Sequence, residues 1–233
     1  NNKKEKGYTM IELKNVNKIY KTKAEEIHIL KNVNLSFSKG NFVSIQGKSG
    51  SGKTTLLNIL GLLDVPTNGD MLIDDKIINY KDEKIKNKIR NEKMGFVFQF
   101  HYLLNEFTAL ENVMMPALIN KKFNKKEVRE KAMELLELVG LSERVKHKPL
   151  ELSGGEKQRV AIARSMINDP EIILADEPTG NLDTETSLVI NNLFKKINEE
   201  KKQSIIIVTH SLELANLAEY KYKIEKGEFN KVL

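Results

Sequence analysis

Apolar and polar positions follow strand-like patterns over the first forty residues. Residues 11–16 form a broken alternation of apolar and polar side chains, and residues 27–37 form a second stretch rich in strand-forming residues. Patterns of this kind are typical of β-structure. A turn at residues 39–41 separates them from an apolar segment at residues 42–45, which we predict to be a further strand.

Beyond residue 45, the patterns predict helices and short strands in alternation. The predicted helices are residues 53–63, 82–93, 153–168, 184–201 and 212–218, and the predicted strands are residues 71–73, 95–98, 172–175 and 204–209. Helices between strands indicate parallel strands joined by crossover helices, so we predict an α/β core.

Residues 100–152 interrupt this alternation, because their character is helical. Five apolar residues recur there at helical spacing, namely Val128, Ala132, Leu135, Leu136 and Val139, and Gly140 follows where a helix would end. We interpret this block as a helical insertion between two core strands. The chain is therefore expected to form one domain with two lobes over residues 10–233, after a tail or artificial remnant at residues 1–9.

Composition narrows the possible classes of protein. Of 233 residues, 40% are hydrophobic and 30% are charged, which provides enough apolar material for a core and excludes a disordered chain. The absence of cysteine excludes a disulfide framework, a cysteine-based zinc site and a thiol nucleophile. No apolar run approaches the roughly 18 residues that span a bilayer, and no signal-peptide pattern precedes Met10. We therefore expect a soluble, cytoplasmic protein.

The formal net charge of +6 raises the question of a polyanionic partner. The lysines are interleaved with glutamates, as in residues 81–93 and 195–202, and this mixture is typical of solvated helix faces. Charge alone therefore does not favour nucleic acid, and we expect no nucleic-acid partner.

The strongest chemical signal is a glycine-rich segment between a predicted strand and a predicted helix. It fits the pattern G-x-x-x-x-G-K-[ST] and, with the residue that follows, comprises Gly47, Lys48, Ser49, Gly50, Ser51, Gly52, Lys53, Thr54 and Thr55. The glycines allow backbone N–H groups to converge on phosphate oxygens, and the start of the helix adds its positive dipole end. Lys53 would reach the terminal phosphates, and the Thr54 hydroxyl would bind Mg²⁺. The segment predicts a nucleotide site.

Two acidic residues supply the chemistry that such a site needs. Asp176 and Glu177 directly follow the apolar strand at residues 172–175. Asp176 would hold Mg²⁺ through water, and Glu177 would polarise the attacking water. Taken alone, the pair would fit an ordinary turn before Pro178, and the phosphate-binding segment favours the metal and catalytic interpretation.

The segment Ser153, Gly154, Gly155 and Glu156 has two interpretations. It fits a helix capping box, with Ser153 as N-cap and Glu156 at the third helical position. Two glycines in a first helical turn cost roughly 1 kcal/mol each relative to alanine. Bare N–H groups at a helix start also bind anions, so the glycines favour an additional phosphate role.

In their order along the chain, these motifs resemble those of the ATP-binding-cassette (ABC) ATPases. Residues 152–159 are similar to the signature motif of that family. Gln99 resembles its Q-loop glutamine, and Asp183 lies in a segment similar to its D-loop. His210, at the end of a predicted strand, resembles the switch histidine, and Tyr20 resembles the aromatic residue that stacks on adenine.

The resemblance implies a fold and a mechanism. The fold would be a P-loop NTPase core with an N-terminal antiparallel β subdomain and an inserted α-helical subdomain. Two ATP molecules would bind at the interface of a head-to-tail dimer. One subunit would supply Lys53, Thr54, Gln99, Asp176, Glu177 and His210, with Glu177, His210 and Gln99 as catalytic residues and Thr54, Gln99 and Asp176 around the metal. The other would supply Ser153, Gly154, Gly155 and Glu156, with Asp183 communicating across the interface.

Several longer sequence segments resemble those of the lipoprotein-release and macrolide-export branch of the family. They are residues 56–64, 95–99, 108–113 and 175–183. Asn105 and Lys157 depart from the branch's usual proline and glutamine, and neither touches the implied chemistry. The branch implies a membrane permease with few transmembrane helices as partner, and a peripheral location on the inner face of the membrane.

Two classes of function remain open at this stage. The first is a transport ATPase for lipoprotein, macrolide or peptide. The second is a non-transport ABC ATPase that regulates a cell-division or cell-wall membrane partner, because such a protein would carry the same motifs. DNA-repair members would have a long coiled coil within the site, and translation factors would have two cassettes in tandem, and this sequence has neither.

Overall fold

Two β-sheets and seven described helices build the fold in the computed structural model, which describes residues 9–21, 25–120 and 124–232. The strands are β1 (Thr9–Lys21), β2 (Glu26–Ser38), β3 (Phe42–Gln46), β4 (Asn68–Ile73), β5 (Lys76–Ile77), β6 (Met94–Phe98), β7 (Ile172–Asp176), β8 (Ser204–Thr209), β9 (Tyr220–Glu225) and β10 (Glu228–Val232). The helices are α1 (Lys53–Leu60), α2 (Glu83–Lys93), α3 (Ala109–Asn120), α4 (Lys125–Leu138), α5 (Gly154–Met166), α6 (Thr184–Lys201) and α7 (Leu212–Asn216).

The smaller sheet is antiparallel and has the order β2-β1-β4-β5. Register shifts interrupt the pairing of β1 with β2, which explains the broken alternation in the sequence. Thr9, the last residue of the segment predicted as a tail, lies at the start of β1 and pairs with Ser38. The remainder of that tail, residues 1–8, lies outside the described residues.

The larger sheet has the order β10-β9-β3-β8-β7-β6 and is parallel from β9 to β6. The register aligns the strand ends, because Gln46 lies opposite Thr209 and Asp176 lies between Val208 and Phe98. The carboxyl ends of parallel strands are where α/β sheets bind ligands. This edge therefore carries the loops that begin at residues 47, 99, 177 and 210.

The helical insertion consists of α3 and α4, which pack on α5. The predicted helical spacing is confirmed, since Val128, Ala132 and Leu136 are buried in one core cluster with β-strand residues such as Ile173. The predicted α/β core with an antiparallel β part and an inserted helical part is confirmed. No described helix is long and apolar enough to cross a membrane.

Several elements differ from the prediction. The strands β9, β10 and β5 were not predicted. Strands β9 and β10 are joined by a two-residue turn with positive φ at both positions, Lys226 (+49°) and Gly227 (+84°). The turn between β4 and β5 is of the same kind, with Asp74 (+50°) and Asp75 (+61°). Such turns match the twist of paired strands. Helix α1 ends at Leu60 instead of residue 63, because Gly61 is its C-cap and the chain turns there, with Leu62 at a φ of +56°.

Candidate functional site

A tight loop between β3 and α1 forms the cradle predicted from the glycine-rich segment. Gly50 and Gly52 adopt φ of +76° and +102°, in the left-handed region that favours glycine. A Cβ at Gly47 would lie 2.5 Å from Ser51 Oγ and 2.7 Å from Ile224 Cγ2, so only glycine fits. Gly52 is the N-cap of α1 and provides no side-chain cap, which leaves the first-turn N–H groups available to an anion.

The side chain of Lys53 lies folded over this loop and is buried. Its Nζ donates to the carbonyl oxygens of Gly47, at 2.9 Å, and Lys48, at 3.1 Å. The Oε1 atom of Glu177 is 3.9 Å from the same Nζ. The ammonium group is therefore held in place at the cradle before any phosphate arrives, which is the arrangement needed for charge-assisted hydrogen bonds to phosphate.

Thr54 and Asp176 form the pair of oxygen ligands that Mg²⁺ would need. Thr54 Oγ1 donates to Asp176 Oδ1 at 3.3 Å, which joins the start of α1 to the end of β7. Burial raises the pKa of Asp176 above its usual value, and the neighbouring Glu177 adds to the rise, so the ionised carboxylate favours a nearby cation. A hydroxyl and one carboxylate, completed by water and phosphate, suit Mg²⁺.

Glu177 and His210 lie side by side at the ends of β7 and β8. Glu177 Oε2 accepts a hydrogen bond from the His210 backbone N–H at 3.1 Å and lies 2.9 Å from His210 Nδ1. Glu177 has a φ of +44°, and its N–H donates to Val208 O at 2.9 Å. The turn thus fixes the Glu177 carboxylate beside His210 and 3.9 Å from Lys53 Nζ.

Gln99 connects the loop after β6 to the loop after β7. Its Nε2 donates to Asn181 Oδ1 at 2.9 Å. A Cβ at Gly180 would lie 3.0 Å from the same Nε2, so the close approach favours glycine there. The side-chain oxygen of Gln99 is the atom that a metal would use.

These loops together enclose a cavity of about 630 Å³. Its lining residues are Ile29, Ser49, Gly50, Gly52, Lys53, Thr54, Thr55, Gln99, Asp176, Glu177 and His210. The volume lies within the range of small-molecule sites, about 300–1,000 Å³. The structure therefore brings together the residues expected to act from one subunit.

The segment that begins at Ser153 lies at the start of α5 and does not line this cavity. The predicted capping box is confirmed: Ser153 Oγ accepts from the Glu156 N–H at 3.2 Å, and Glu156 Oε2 accepts from the Ser153 N–H at 2.8 Å. Arg144 Nε donates to Glu156 Oε1 at 2.9 Å. These hydrogen bonds lower the pKa of Glu156 to about 2. The bond from the Ser153 backbone N–H has the largest effect, and the bond from Arg144 the next largest.

Asp183 lies next to that segment and caps α6. Its Oδ1 accepts from the Thr186 N–H at 2.9 Å, and its Oδ2 accepts from Thr186 Oγ1 at 2.7 Å. Thr186 also touches the start of α5, because a Cβ at Gly155 would collide with its Cγ2. The predicted signature and D-loop residues thus form one packed unit.

The chain resembles known proteins over nearly its whole length. The family profile described as "ABC transporter" matches residues 30–180. The lipoprotein-releasing system ATP-binding protein LolD of Saccharophagus degradans is 48% identical over 222 residues, which are 95% of this chain and 97% of that protein.

Solved structures agree with this relationship. The dimeric structure of MJ0796, an ABC transporter cassette from Methanocaldococcus jannaschii, superposes with a TM-score of 0.87 at 46% identity and covers 96% of this chain and 99% of that one. A dimeric post-hydrolysis structure of the same cassette, bound to ADP and Pi, superposes with a TM-score of 0.87 at 45% identity, with the same coverage of both chains.

This chain belongs to the ABC transporter family. It is an ATP-binding subunit and an ATPase of that family. The profile match spans the cradle, Gln99, the segment that begins at Ser153, Asp176 and Glu177. The predicted site residues outside it are Tyr20, Asp183 and His210.

Within this ABC subunit, Tyr20 lies on β1 and is partly exposed, and it is absent from the residues that line the cavity. Its hydroxyl donates to Asp64 Oδ2 at 2.9 Å. The predicted contact with adenine therefore requires that the base extend beyond the cavity toward β1.

Sequence reasoning missed two side chains of α5 that hold the loop around Gln99. Arg164 donates to the carbonyl oxygens of His101 and Tyr102, each at 2.7 Å, and Gln158 Nε2 lies 3.5 Å from Phe98 O. The one sign of these contacts in the sequence is that a charged residue, Arg164, directly follows the apolar run at residues 160–163. Helix α5, which begins at the predicted signature segment, thus also supports the loop around Gln99.

Proposed function

We propose that this chain is the ATPase subunit of a transporter of the lipoprotein-release and macrolide-export type, with lipoprotein as the favoured cargo. The single observation that carries the ATPase part is the cavity in which Lys53, Asp176, Glu177 and His210 meet at one edge of the sheet. The name of the LolD relative supports the lipoprotein part. Residues 10–233 act in this proposal as one nucleotide-binding domain.

In the proposed reaction, the cradle and Lys53 bind the phosphates of ATP. Thr54, Asp176 and Gln99 would hold Mg²⁺, which would neutralise negative charge on the phosphates. Glu177 accepts a proton from the attacking water, and His210 keeps the carboxylate oriented through the contact at 2.9 Å. Tyr20 stacks on the adenine.

A second copy of the chain completes the site. Ser153, Gly154 and Gly155 would contact the γ-phosphate from the partner subunit, with Glu156 supporting them and Asp183 lying across the interface. The absence of these residues from the lining of the cavity supports a contact from another subunit. The dimers of MJ0796 support an ATP-dependent homodimer.

The membrane permease would bind a groove of about 730 Å³ beside α2 and α3. The groove is lined by apolar side chains such as Phe98, Leu104 and Ile119, and by Arg90 and Arg164, with no acidic residue among its described lining. Asn105, where the branch usually has proline, directly follows Leu104. Docking there would hold the subunit on the cytoplasmic face of the membrane.

The test is to capture the partner with a variant that binds ATP without hydrolysing it. Glu177→Gln removes the proton acceptor, so turnover should fall by roughly 100-fold or more while ATP binding persists. Tagged Glu177→Gln protein with Mg²⁺ and ATP would be captured from detergent-solubilised membranes, and the bound proteins identified by mass spectrometry. We expect a membrane permease.

Lys53→Ala protein is the matched control, because it should not load ATP. Recovery of a permease by Glu177→Gln and not by Lys53→Ala would support transport. Recovery of division or cell-wall proteins alone would favour a regulatory ABC ATPase. Turnover of Glu177→Gln at the wild-type rate would contradict the role of Glu177.

A further inference from the structure

Lys18, Tyr20 and Asp64 form a polar cluster beside the nucleotide cavity. Lys18 Nζ donates to Asp64 Oδ1 at 2.6 Å and to Val65 O at 2.7 Å. The Tyr20 hydroxyl donates to Asp64 Oδ2 at 2.9 Å. Both oxygens of one carboxylate are thus used to hold two side chains of β1.

The cluster joins the strand that carries Tyr20 to the helix that carries the phosphate cradle. Lys18 and Tyr20 are alternate residues of β1, so their side chains point to the same face. Asp64 follows the end of α1, whose first residue is Lys53. Thr55, which lines the cavity, is a further polar neighbour of the Tyr20 hydroxyl. The position of Tyr20 is therefore set relative to the cradle.

Lys18 also covers one face of the Tyr20 ring. Its Nζ lies 4.9 Å from the ring centroid, and its side chain is only 11% exposed. A cation held over one ring face leaves the opposite face for a second partner. Burial opposes ionisation of Asp64, but hydrogen bonds from Lys18, the Val65 N–H and Tyr20 outweigh it and keep the pKa of this carboxyl below its usual value.

We propose that Lys18 and Asp64 are positioning residues for the nucleobase, which hold the Tyr20 ring in the orientation that accepts adenine. The inference rests on the proposed stacking role of Tyr20 and extends it to two residues that are not among the lining of the cavity. The physical reason is preorganisation: a ring fixed before binding loses less conformational freedom when the base arrives.

A purely structural role is the competing explanation, since the cluster also ties β1 to the segment after α1. The two explanations differ in a measurable way. A structural tie supports the whole site, so its loss would weaken binding of every ligand of the cradle. A positioning role concerns only ligands that carry a base.

The experiment compares ATP with inorganic tripolyphosphate, which has the phosphates and no base. Dissociation constants for both would be measured on the full chain for Lys18→Met, Asp64→Asn and Tyr20→Phe. Freezing one side chain costs about 0.5–1.5 kcal/mol, so we expect ATP binding to weaken by about 2–12-fold. Tripolyphosphate binding should stay within about twofold of wild type, because the cradle is intact.

Two further variants separate the possible outcomes. Tyr20→Ala removes the ring and should weaken ATP binding by about 5–150-fold, as expected for base stacking. Lys14→Met is the matched control, because Lys14 also lies on β1 and pairs with an acid, Glu12, at 3.1 Å. It should change neither affinity.

Each remaining result has a distinct meaning. A loss for Tyr20→Ala with none for Lys18→Met and Asp64→Asn overturns the positioning role and leaves the stacking role intact. An unchanged ATP affinity for Tyr20→Ala overturns the stacking role itself. Equal losses for ATP and tripolyphosphate in Lys18→Met and Asp64→Asn overturn the proposal in favour of a structural tie.

Discussion

Two glycine-rich helix N-termini, those of α1 and α5, differ in how their first turns are satisfied. At α1, Gly52 is the N-cap and no side chain caps the helix. At α5, Ser153 and Glu156 form a complete capping box, and Arg144 holds the glutamate. Both segments carry glycines in the phosphate-binding patterns, yet only the first lines the cavity.

The difference shows which of the two helix N-termini depends on a bound phosphate for its cap. Free first-turn N–H groups cost stability unless water or a ligand satisfies them, so a phosphate is the natural cap of α1. At α5, the capping box satisfies the N–H groups of Ser153 and Glu156, so this terminus is partly capped by its own side chains without a ligand. We therefore expect changes near α1 to alter ATP binding by one subunit, and changes near α5 to alter the steps that follow.

The largest expected effect is that of Lys53→Ala on ATP binding. Hydrogen bonds to charged groups contribute about 1.5–3 kcal/mol each, so loss of the ammonium should weaken ATP binding by about 100-fold or more. Calorimetric titration would measure the dissociation constant. Lys48→Ala is the control, since it removes one charge from an exposed position of the same loop, and equal losses in both variants would mean that net charge alone binds ATP.

Gly155→Ala should change stability and ATPase turnover but not ATP binding by the single subunit, which is the reverse of the pattern expected for Lys53→Ala. The added Cβ would collide with Thr186 Cγ2, and Thr186 cannot rotate freely because it is β-branched and its hydroxyl binds Asp183. Overpacking of this kind costs about 1–3 kcal/mol. We expect a lower unfolding temperature and at least about tenfold lower ATPase turnover, with the ATP dissociation constant of the single subunit unchanged.

Thr186→Ser provides the matched test of this cause. Serine keeps the hydroxyl that binds Asp183 and removes the methyl group that collides. The double variant Gly155→Ala with Thr186→Ser should therefore recover most of the lost stability and turnover. If it recovers neither, the collision with Thr186 is not the reason for the defect.

The same contrast separates what the sequence could predict from what it could not. The cradle and the α5 capping box are each formed by residues that are close together in the sequence. Their backbone geometry therefore follows from local rules for glycine and for helix caps. The α/β core followed from periodicity for the same reason. These features were predicted with nearly correct boundaries.

Contacts between distant parts of the chain could not be predicted in this way. The support of the Q-loop by Arg164 joins residues 62 and 63 positions apart, and the Gln99–Asn181 contact spans 82 positions. The close packing of Gly61 against the ring of Phe96, where a Cβ would lie 2.5 Å from Cε1, is a contact of the same kind. The β9–β10 hairpin is a different kind of miss, because local signals were present: Tyr220, Tyr222 and Ile224 alternate with polar residues, and Lys226 and Gly227 form a turn suited to a hairpin.

The smallest effect we predict is on the capping box itself, through Glu156→Gln. A carboxyl whose pKa is about 2 in the folded protein, below its usual value of 4.5, stabilises the fold above about pH 4.5 and loses that contribution as the pH falls toward 2. Solvent screens this half-buried group, so the loss at pH 7 should be about 0.5–1 kcal/mol.

Urea unfolding of wild type and Glu156→Gln between pH 4 and pH 8 would measure the difference. It should be constant above about pH 6 and shrink below pH 5, as protonation removes the charge from wild type. Glu127→Gln, in the capping box of α4, is the matched control, because it removes the same type of contact without touching Arg144. A difference that does not change with pH would mean that the amide disturbs packing at α5, and that the carboxylate charge does not stabilise it.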